Sequence, residues 1–312
     1  MASTTVTDQT SHATAHSRRA SRDRLTRMVN QKVIPRIILI LMCMLFILPF
    51  YWMVVLGLKS NEELTWYPPS LYPHTPIWSN FKEATEVFPF WRFAWNTTVI
   101  TVLTIVGAVI SNPIIAYGFS RIEWPGRDKV FLIVLATVFV PFPVLIVALF
   151  DIWARIGQWG QQNNLPFDIG INSFWPLVLP MFFGQAFWIF LMRQFLLQIP
   201  KDLSDAARID GANEFQIFWQ IILPQTLPAL GAIAIFAGVH AWNDFLGPLI
   251  YLQDSTRYTL SIGLTFFQQQ DAYDVKYNLL MAASALIVLP VVVMFLLFQR
   301  SFIEGISVGS IK

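Results

Sequence analysis

The residues best suited to chemistry fall in two clusters, and neither reads as a catalytic centre. The first is a polar stretch within residues 200–224, where Asp202, Ser204, Asp205, Arg208 and Asp210 surround Ala206 and Ala207 and run up to Gly211. The second is His240, Asn243 and Asp244, beside Trp242, inside a long apolar run. Hydrolysis or group transfer needs converging nucleophiles, bases or metal ligands. Of the four histidines, His12 and His16 sit in the N-terminal stretch, His74 stands apart, and His240 lacks a His-Glu-x-x-His partner. Cys43 is the only cysteine, which excludes an intrachain disulfide and a cysteine metal cluster. Its apolar neighbours predict a buried packing role. No Gly-Lys dipeptide occurs, so a phosphate-binding loop of the G-x-x-x-x-G-K-[ST] form is absent. The chain reads as a non-enzyme without catalytic residues, bound metal or bound cofactor.

What the first cluster offers is mechanical. Asp202 can cap a helix, and Asp205 sits where a carboxylate favours the helix's positive end. Ala206 and Ala207 favour helix and keep its surface slim. Gly211 supplies the left-handed conformation that closes a helix. Asn213 can cap a second helix, with Phe215, Phe218, Trp219 and Ile222 on one side and Pro224 at its end. The spacing predicts two short helices bent at a glycine, anchored by the aromatic stripe. Two readings fit: a rigid lever inserting into a partner's cleft, or a loop helix lying on a membrane surface.

These clusters must be positioned by membrane-spanning elements. The 312 residues are 55% hydrophobic and 13% charged, against roughly 25% charged in soluble domains. Apolar runs near the ~20 residues needed to cross ~30 Å of hydrocarbon recur along the chain. Six spans are expected, at 33–58, 95–119, 130–150, 174–195, 227–252 and 279–298. With the N-terminus inside, 15 of the 21 Lys and Arg residues fall on inner segments. Positive charge marks the cytoplasmic side, so both termini are expected to be cytoplasmic. Residues 1–32, rich in Ser, Thr, Arg and His, read as a disordered basic cytoplasmic tail. Residues 33–300 are expected to form a six-helix transmembrane domain with a cytoplasmic loop at 199–224, and 301–312 a cytoplasmic C-terminal tail. A net charge of +2 gives no case for nucleic acid.

The outer segment after the first span is rich in proline and aromatic residues, and reads either as a cap over the bundle's mouth or as an interfacial loop. In the fifth span, a carboxylate near mid-membrane costs roughly 2.5–3.5 kcal/mol on insertion scales, so Asp244 should face protein or a watery path. Trp242 and Asn243 offer an aromatic face and a hydroxyl-pairing amide. These three residues either line a path for a polar solute or bond between helices.

Asp205-Ala206-Ala207, then Gly211 after three residues, then Ile221-Ile222-Leu223-Pro224 after nine more, resembles the Glu-Ala-Ala signature of permease subunits of ATP-binding-cassette importers. The departure is Asp205 for glutamate, which keeps the charge on a shorter arm. Leu58-Lys59-Ser60, Trp242-Asn243-Asp244-Phe245 with Gly247-Pro248, and residues 299–306 make the likeness closest to the inner-membrane subunit of maltose-type carbohydrate systems. The resemblance implies an all-α, six-span type I importer permease in a bacterial inner membrane. It implies a coupling helix over Asp202, Ser204, Asp205, Ala206, Ala207, Arg208, Asp210 and Gly211 that docks into a separate ATPase. It also implies a second permease subunit in a heterodimer, two ATPase subunits that bind ATP and magnesium, an extracytoplasmic solute-binding protein, and a sugar as cargo. In the subunit resembled, the C-terminal tail reaches between the ATPases, while an ordinary frayed terminus also fits residues 301–312. Glycerol phosphate or another polyol derivative is the alternative cargo. An ion-coupled secondary transporter is more remote, because neither an inverted repeat nor several intramembrane carboxylates are evident.

Overall fold

The computed structural model describes residues 29–269 and 276–307, and all regular structure among them is helical. A π-helical turn over Val29–Val33 leads into α1 (Ile34–Gly57). The other principal helices are α2 (Phe90–Ser120), α3 (Phe142–Gln162), α4 (Ala186–Gln198), α5 (Asp202–Ile209), α6 (Leu227–Asn243) and α7 (Tyr277–Ser307). Five stretches are long and apolar enough to cross a membrane: Gln31–Gly57, Phe90–Ser120, Phe142–Gln162, Trp175–Gln198 and Tyr277–Gln299. A sixth arises if the bent pair Glu214–Gln225 and Leu227–Asn243 is taken as one span. The chain is therefore the expected all-α bundle. Outer and inner below follow the basic-residue bias of the sequence.

α2 is the hub. It packs on α4, on α6 and on the 3-10 turn Leu179–Phe183, while α6 packs on α7 and α7 on α1. α1 and α3 stand at the periphery. Only Val55 and Gly57 of α1 are buried, and Cys43 is exposed rather than packed. Among the described residues, the inner part of α1 is exposed on every side from residue 34 to residue 50.

The third and fourth spans are broken, and in each case a local cause is visible. The apolar run expected at 130–150 divides into a helix over Arg127–Ala136, a 3-10 turn over Thr137–Phe139 and then α3. Pro141 lacks an amide hydrogen, and Val140 before it is extended. The third span therefore begins at Phe142 and runs to Gln162, carrying Arg155 in an ion pair with Asp151 at 2.7 Å. A glycine pair lets the following loop close on it, since a Cβ on Gly170 would lie 2.4 Å from the Cα of Gly157.

The fourth span breaks at Gly184, where φ is +85°. Backbone groups freed inside a membrane need protein partners, and α2 provides them. The Ser111 hydroxyl donates to the carbonyl of Met181 at 2.9 Å, and the Asn112 carbonyl accepts from the amide of Gln185 at 2.9 Å. Asn112 is fully buried and also donates to Ala108 at 2.7 Å.

The outer segment is an ordered cap. It holds a 3-10 turn over Glu63–Thr65, a cis Tyr67–Pro68 peptide and a helix over Ser79–Ala84 that packs on α7. Lys59 and Glu63 lie buried 4.0 Å apart. The Lys59 ammonium donates to the carbonyl of Ser70 at 2.6 Å, and Glu63 accepts from the Ser70 hydroxyl and the His74 amide. Asn80 donates to the carbonyls of Gly57 and Lys59, closing the cap on the end of α1. At the other terminus α7 continues to Ser307, so part of the stretch expected as a tail at 301–312 is helical. The tail expected at 1–32 lies outside the described residues up to position 28.

Candidate functional site

The loop after α4 forms as two segments joined by a glycine. α5 covers Asp202–Ile209 with Lys201 at the N-cap position. Asp202 is the first helical residue rather than the cap, because Lys201 already has helical angles and no side chain caps the turn. Asp202 and Asp205 still place negative charge in the first turn. At the other end Gly211 has φ +84°. Its amide donates to the carbonyl of Arg208 at 3.1 Å, and the amide of Ala212 donates to Ala207 at 2.9 Å. This pair of bonds is a Schellman closure.

Asn213 opens the second segment with a reciprocal capping box. Its carbonyl accepts from the Gln216 amide, and its amide donates to the Gln216 side chain, both at 2.9 Å. The segment then winds as a π-helix over Ile217–Ile222 and continues through Pro224 to Gln225. Pro224 does not end it, since proline is tolerated in the first turn of the helix restarting at Leu223. The chain then bends by 76° into α6.

The π turn divides the aromatic stripe. Its wider winding brings Ile217, Phe218 and Ile222 to the buried side and turns Phe215 and Trp219 outward. Phe218 meets Tyr117 of α2 edge-on at 5.1 Å, while Phe215 and Trp219 tilt against each other at 5.9 Å.

α5 likewise has two faces. Ser204 and Ala207 are buried beneath it, whereas Leu203, Ala206, Ile209 and Asp210 are exposed at spacings of three or four, with Ile209 87% exposed. Among the residues read from sequence as coupling residues, Asp202, Asp205, Ala206, Arg208, Asp210 and Gly211 are exposed, and Ser204 and Ala207 face inward.

Charged side chains tie the loop to the bundle. The Arg208 guanidinium donates to Asp205 at 2.7 Å and to Glu214 at 2.8 Å. The other oxygen of Glu214 accepts from the Tyr117 hydroxyl at 2.7 Å. The bond from Arg208 holds the Glu214 carboxyl below the usual carboxylate range, and Glu214 in turn raises Arg208. Beside this chain, two arginines clamp the inner ends of the second and fourth spans to one another. Arg121, following α2, donates to the last carbonyls of α4 at Leu196 and Ile199. Arg193 of α4 donates to Phe119 of α2 at 3.1 Å, pairs with Asp128 at 3.3 Å and lies 4.3 Å over the Phe131 ring. Cations at helix C-termini suit the helix dipole.

The fifth-span cluster is dispersed rather than gathered. Asp244 follows the last residue of α6, accepts from the amide of Gly247 at 3.1 Å, and lines a cavity of about 340 Å³. His240, Gln185, Thr104, Trp153 and Tyr251 share its wall. Trp242 points elsewhere, buried against α7 with its indole donating to the carbonyl of Ile287 at 3.1 Å. Asn243 is exposed and donates to Val239 of its own helix.

Sequence reasoning missed several residues. In the sequence Arg121 and Arg193 are only two of the 15 basic residues on inner segments, and Glu214 and Tyr117 carry no local signal of their pairing. Ser111-Asn112-Pro113 within an apolar run was the available signal for the fourth-span break.

The profile of the family described as binding-protein-dependent transport system inner membrane component matches residues 24–308. The arabinooligosaccharides transport system permease protein AraQ of Bacillus subtilis (strain 168) is 31% identical over 276 residues, covering 87% of this chain and 92% of that one. Its namesake in Halalkalibacterium halodurans is 33% identical over 228 residues, 73% of this chain and 76% of the relative. In fold, the chain is similar to a solved bacterial ABC transporter involved in the import of the acidic polysaccharide alginate. The TM-score is 0.69 at 21% identity, over 90% of this chain and 98% of that one. With a helical bundle of five to six apolar spans and a match across most of its length, the chain belongs to the family of binding-protein-dependent transport system inner membrane components.

Proposed function

We propose that α5 is the helix through which a separate ATPase moves this permease, and that the subunit supplies half of a carbohydrate path. The observation that carries the reading is the form of α5. It is a short helix braced on its inward face and closed by a left-handed glycine, with Leu203, Ala206 and Ile209 presented outward. Such a face suits a groove, while Asp202 and Asp210 flank it with charge.

On this reading residues 33–300 are the permease domain, and the segments 1–32 and 301–312, with the loop at 199–224, are cytoplasmic. ATP and magnesium are bound by two ATPase subunits, and this chain binds no cofactor. A second permease subunit completes the path as a heterodimer, and an extracytoplasmic binding protein delivers the sugar. Of Trp242, Asn243 and Asp244, this reading assigns the path to Asp244, supported by its position on the wall of the cavity shared with Trp153 and Tyr251. Aromatic faces with a carboxylate and an amide suit a polyhydroxylated solute.

The test is coexpression with the ATPase and partner permease. Leu203→Asp and Ile209→Asp are expected to abolish copurification of the ATPase while the chain still inserts. Undiminished recovery, with normal ATP hydrolysis stimulated by the loaded binding protein, would sink the assignment. Stimulation by a polyol phosphate rather than by sugars would change the cargo and leave the coupling intact.

A further inference from the structure

We infer that Tyr117, Glu214 and Arg208 form a cross-brace that makes α5 and the inner end of α2 one body, so that displacement of α5 reaches the second span before the fifth. The inference rests on the proposed docking of the ATPase at α5 and concerns where that motion goes.

Two routes lead from α5 into the bundle. The covalent route passes through Gly211, where φ is +84°, along the second segment and around the 76° bend into α6. Both a glycine closure and a sharp bend yield readily to angular change. The second route is not covalent and is much shorter. Arg208 lies before the glycine and Glu214 after it, and their 2.8 Å bond spans the bend. Tyr117 then fastens the braced bend to α2 through a 2.7 Å bond to the other oxygen of Glu214.

Packing supports the same route. Ser204 and Ala207 are buried under α5, and Phe218 lies against the Tyr117 ring. Tyr117 is itself 4% exposed, on the span that packs against both α4 and α6. The Arg121 and Arg193 clamps then join α4 to the same body. Tyr117, Glu214 and Arg208 are therefore positioning residues. Arg208 also binds Asp205 at 2.7 Å, so the carboxylate in the signature position is engaged within the chain.

The test uses the assembled complex with its partner permease and ATPase subunits in nanodiscs. Cys43→Ser removes the single cysteine. Spin labels at Asp210→Cys and Ile122→Cys report the separation of α5 and the end of α2 by pulsed electron resonance. The expected result is one narrow distance that is unchanged between the nucleotide-free and ATP–vanadate-trapped states. Tyr117→Phe and Glu214→Gln, near-isosteric changes assayed as assembled complexes, should broaden the distribution and make it depend on nucleotide. Arg208→Lys, which keeps the charge but loses the fork, should fall between. A wild-type distance that shifts on trapping would overturn the inference, as would variants as narrow as wild type. The mobility of the Asp210→Cys label alone separates this from failure of the underlying reading. If the ATPase does not immobilise it, docking at α5 is refuted and the brace has no motion to deliver.

Discussion

At the outer end of the bundle, Lys59 and Glu63 are 2% and 5% exposed and 4.0 Å apart. At the inner end, Arg208 and its partners Asp205 and Glu214 are 40%, 60% and 45% exposed, with contacts of 2.7 and 2.8 Å. The outer pair has left water, and its stability depends on hydrogen bonds from Ser70 and His74 and to Ser70. The inner pairs remain partly hydrated, so each is worth only about 0.2–1 kcal/mol. The outer residues lie four positions apart, whereas the inner chain joins residues up to 97 positions apart. Burial fixes the outer pair through many bonds to one segment, while the inner pairs, each of modest strength, hold distant parts of the chain together and, on the proposed coupling, carry the motion of α5 to α2.

That contrast can be broken most forcefully at the cap. Lys59→Met leaves the Glu63 carboxylate buried without its cation, and breaking a buried pair costs about 3–5 kcal/mol. A large fall in thermal midpoint of the purified chain is expected, with much of it restored by adding Glu63→Gln. A fall as small as that of an exposed-pair variant would erase the distinction between the two ends.

Next in size is Gly211→Val. A branched residue at φ +84° carries strain on the order of 1–3 kcal/mol, and no neighbouring atom lies within 4 Å of its added Cβ. The expected outcome is normal insertion with loss of substrate-stimulated ATP hydrolysis in the complex. Normal stimulation would show that the loop's shape is not what transmits motion.

Arg208→Ala removes two partly exposed pairs and should cost about 0.4–2 kcal/mol in stability. Its effect on coupling should nonetheless exceed its effect on the thermal midpoint, which a comparison of ATP hydrolysis and melting in the same preparation would reveal.

The smallest effect concerns pH. Glu214 has a carboxyl lowered from 4.5 by Arg208, so its bonds contribute fully above the ordinary value and are lost as pH falls through the depressed one. The α5 to α2 distance distribution should therefore be the same at pH 5.5 as at pH 7.5. Broadening at pH 5.5 would show that a group other than Glu214 controls the brace.

The sequence made the bundle and the bent loop legible because hydropathy and capping are local signals. The Asp-Ala-Ala run, Gly211 and the capping residue Asn213 state their conformations within a few residues. What stayed hidden depends on register or on distant partners. The π turn over Ile217–Ile222 rotates Phe215 and Trp219 away from the side that a 3.6-residue period assigns them. Trp242 and Asn243 sit next to Asp244 in sequence, yet Asp244 lies past the helix end with an extended backbone, and of the three it alone lines the cavity. Tyr117 and Glu214 meet only once α2 and the loop are packed.

The exposure of α1 has a consequence for assembly. With its apolar surface uncovered on nearly every side, this helix gains its hydrophobic free energy from lipid rather than from the rest of the chain. It behaves as a solute of the bilayer, moored at its outer end by the bond from Tyr51 to Leu71, by the Asn80 bonds and by the close approach of Gly57 to Ala282. Its outer turns are held to α7 and the outer segment, while among the described residues its inner turns present an apolar surface that lipid or another apolar helix can cover.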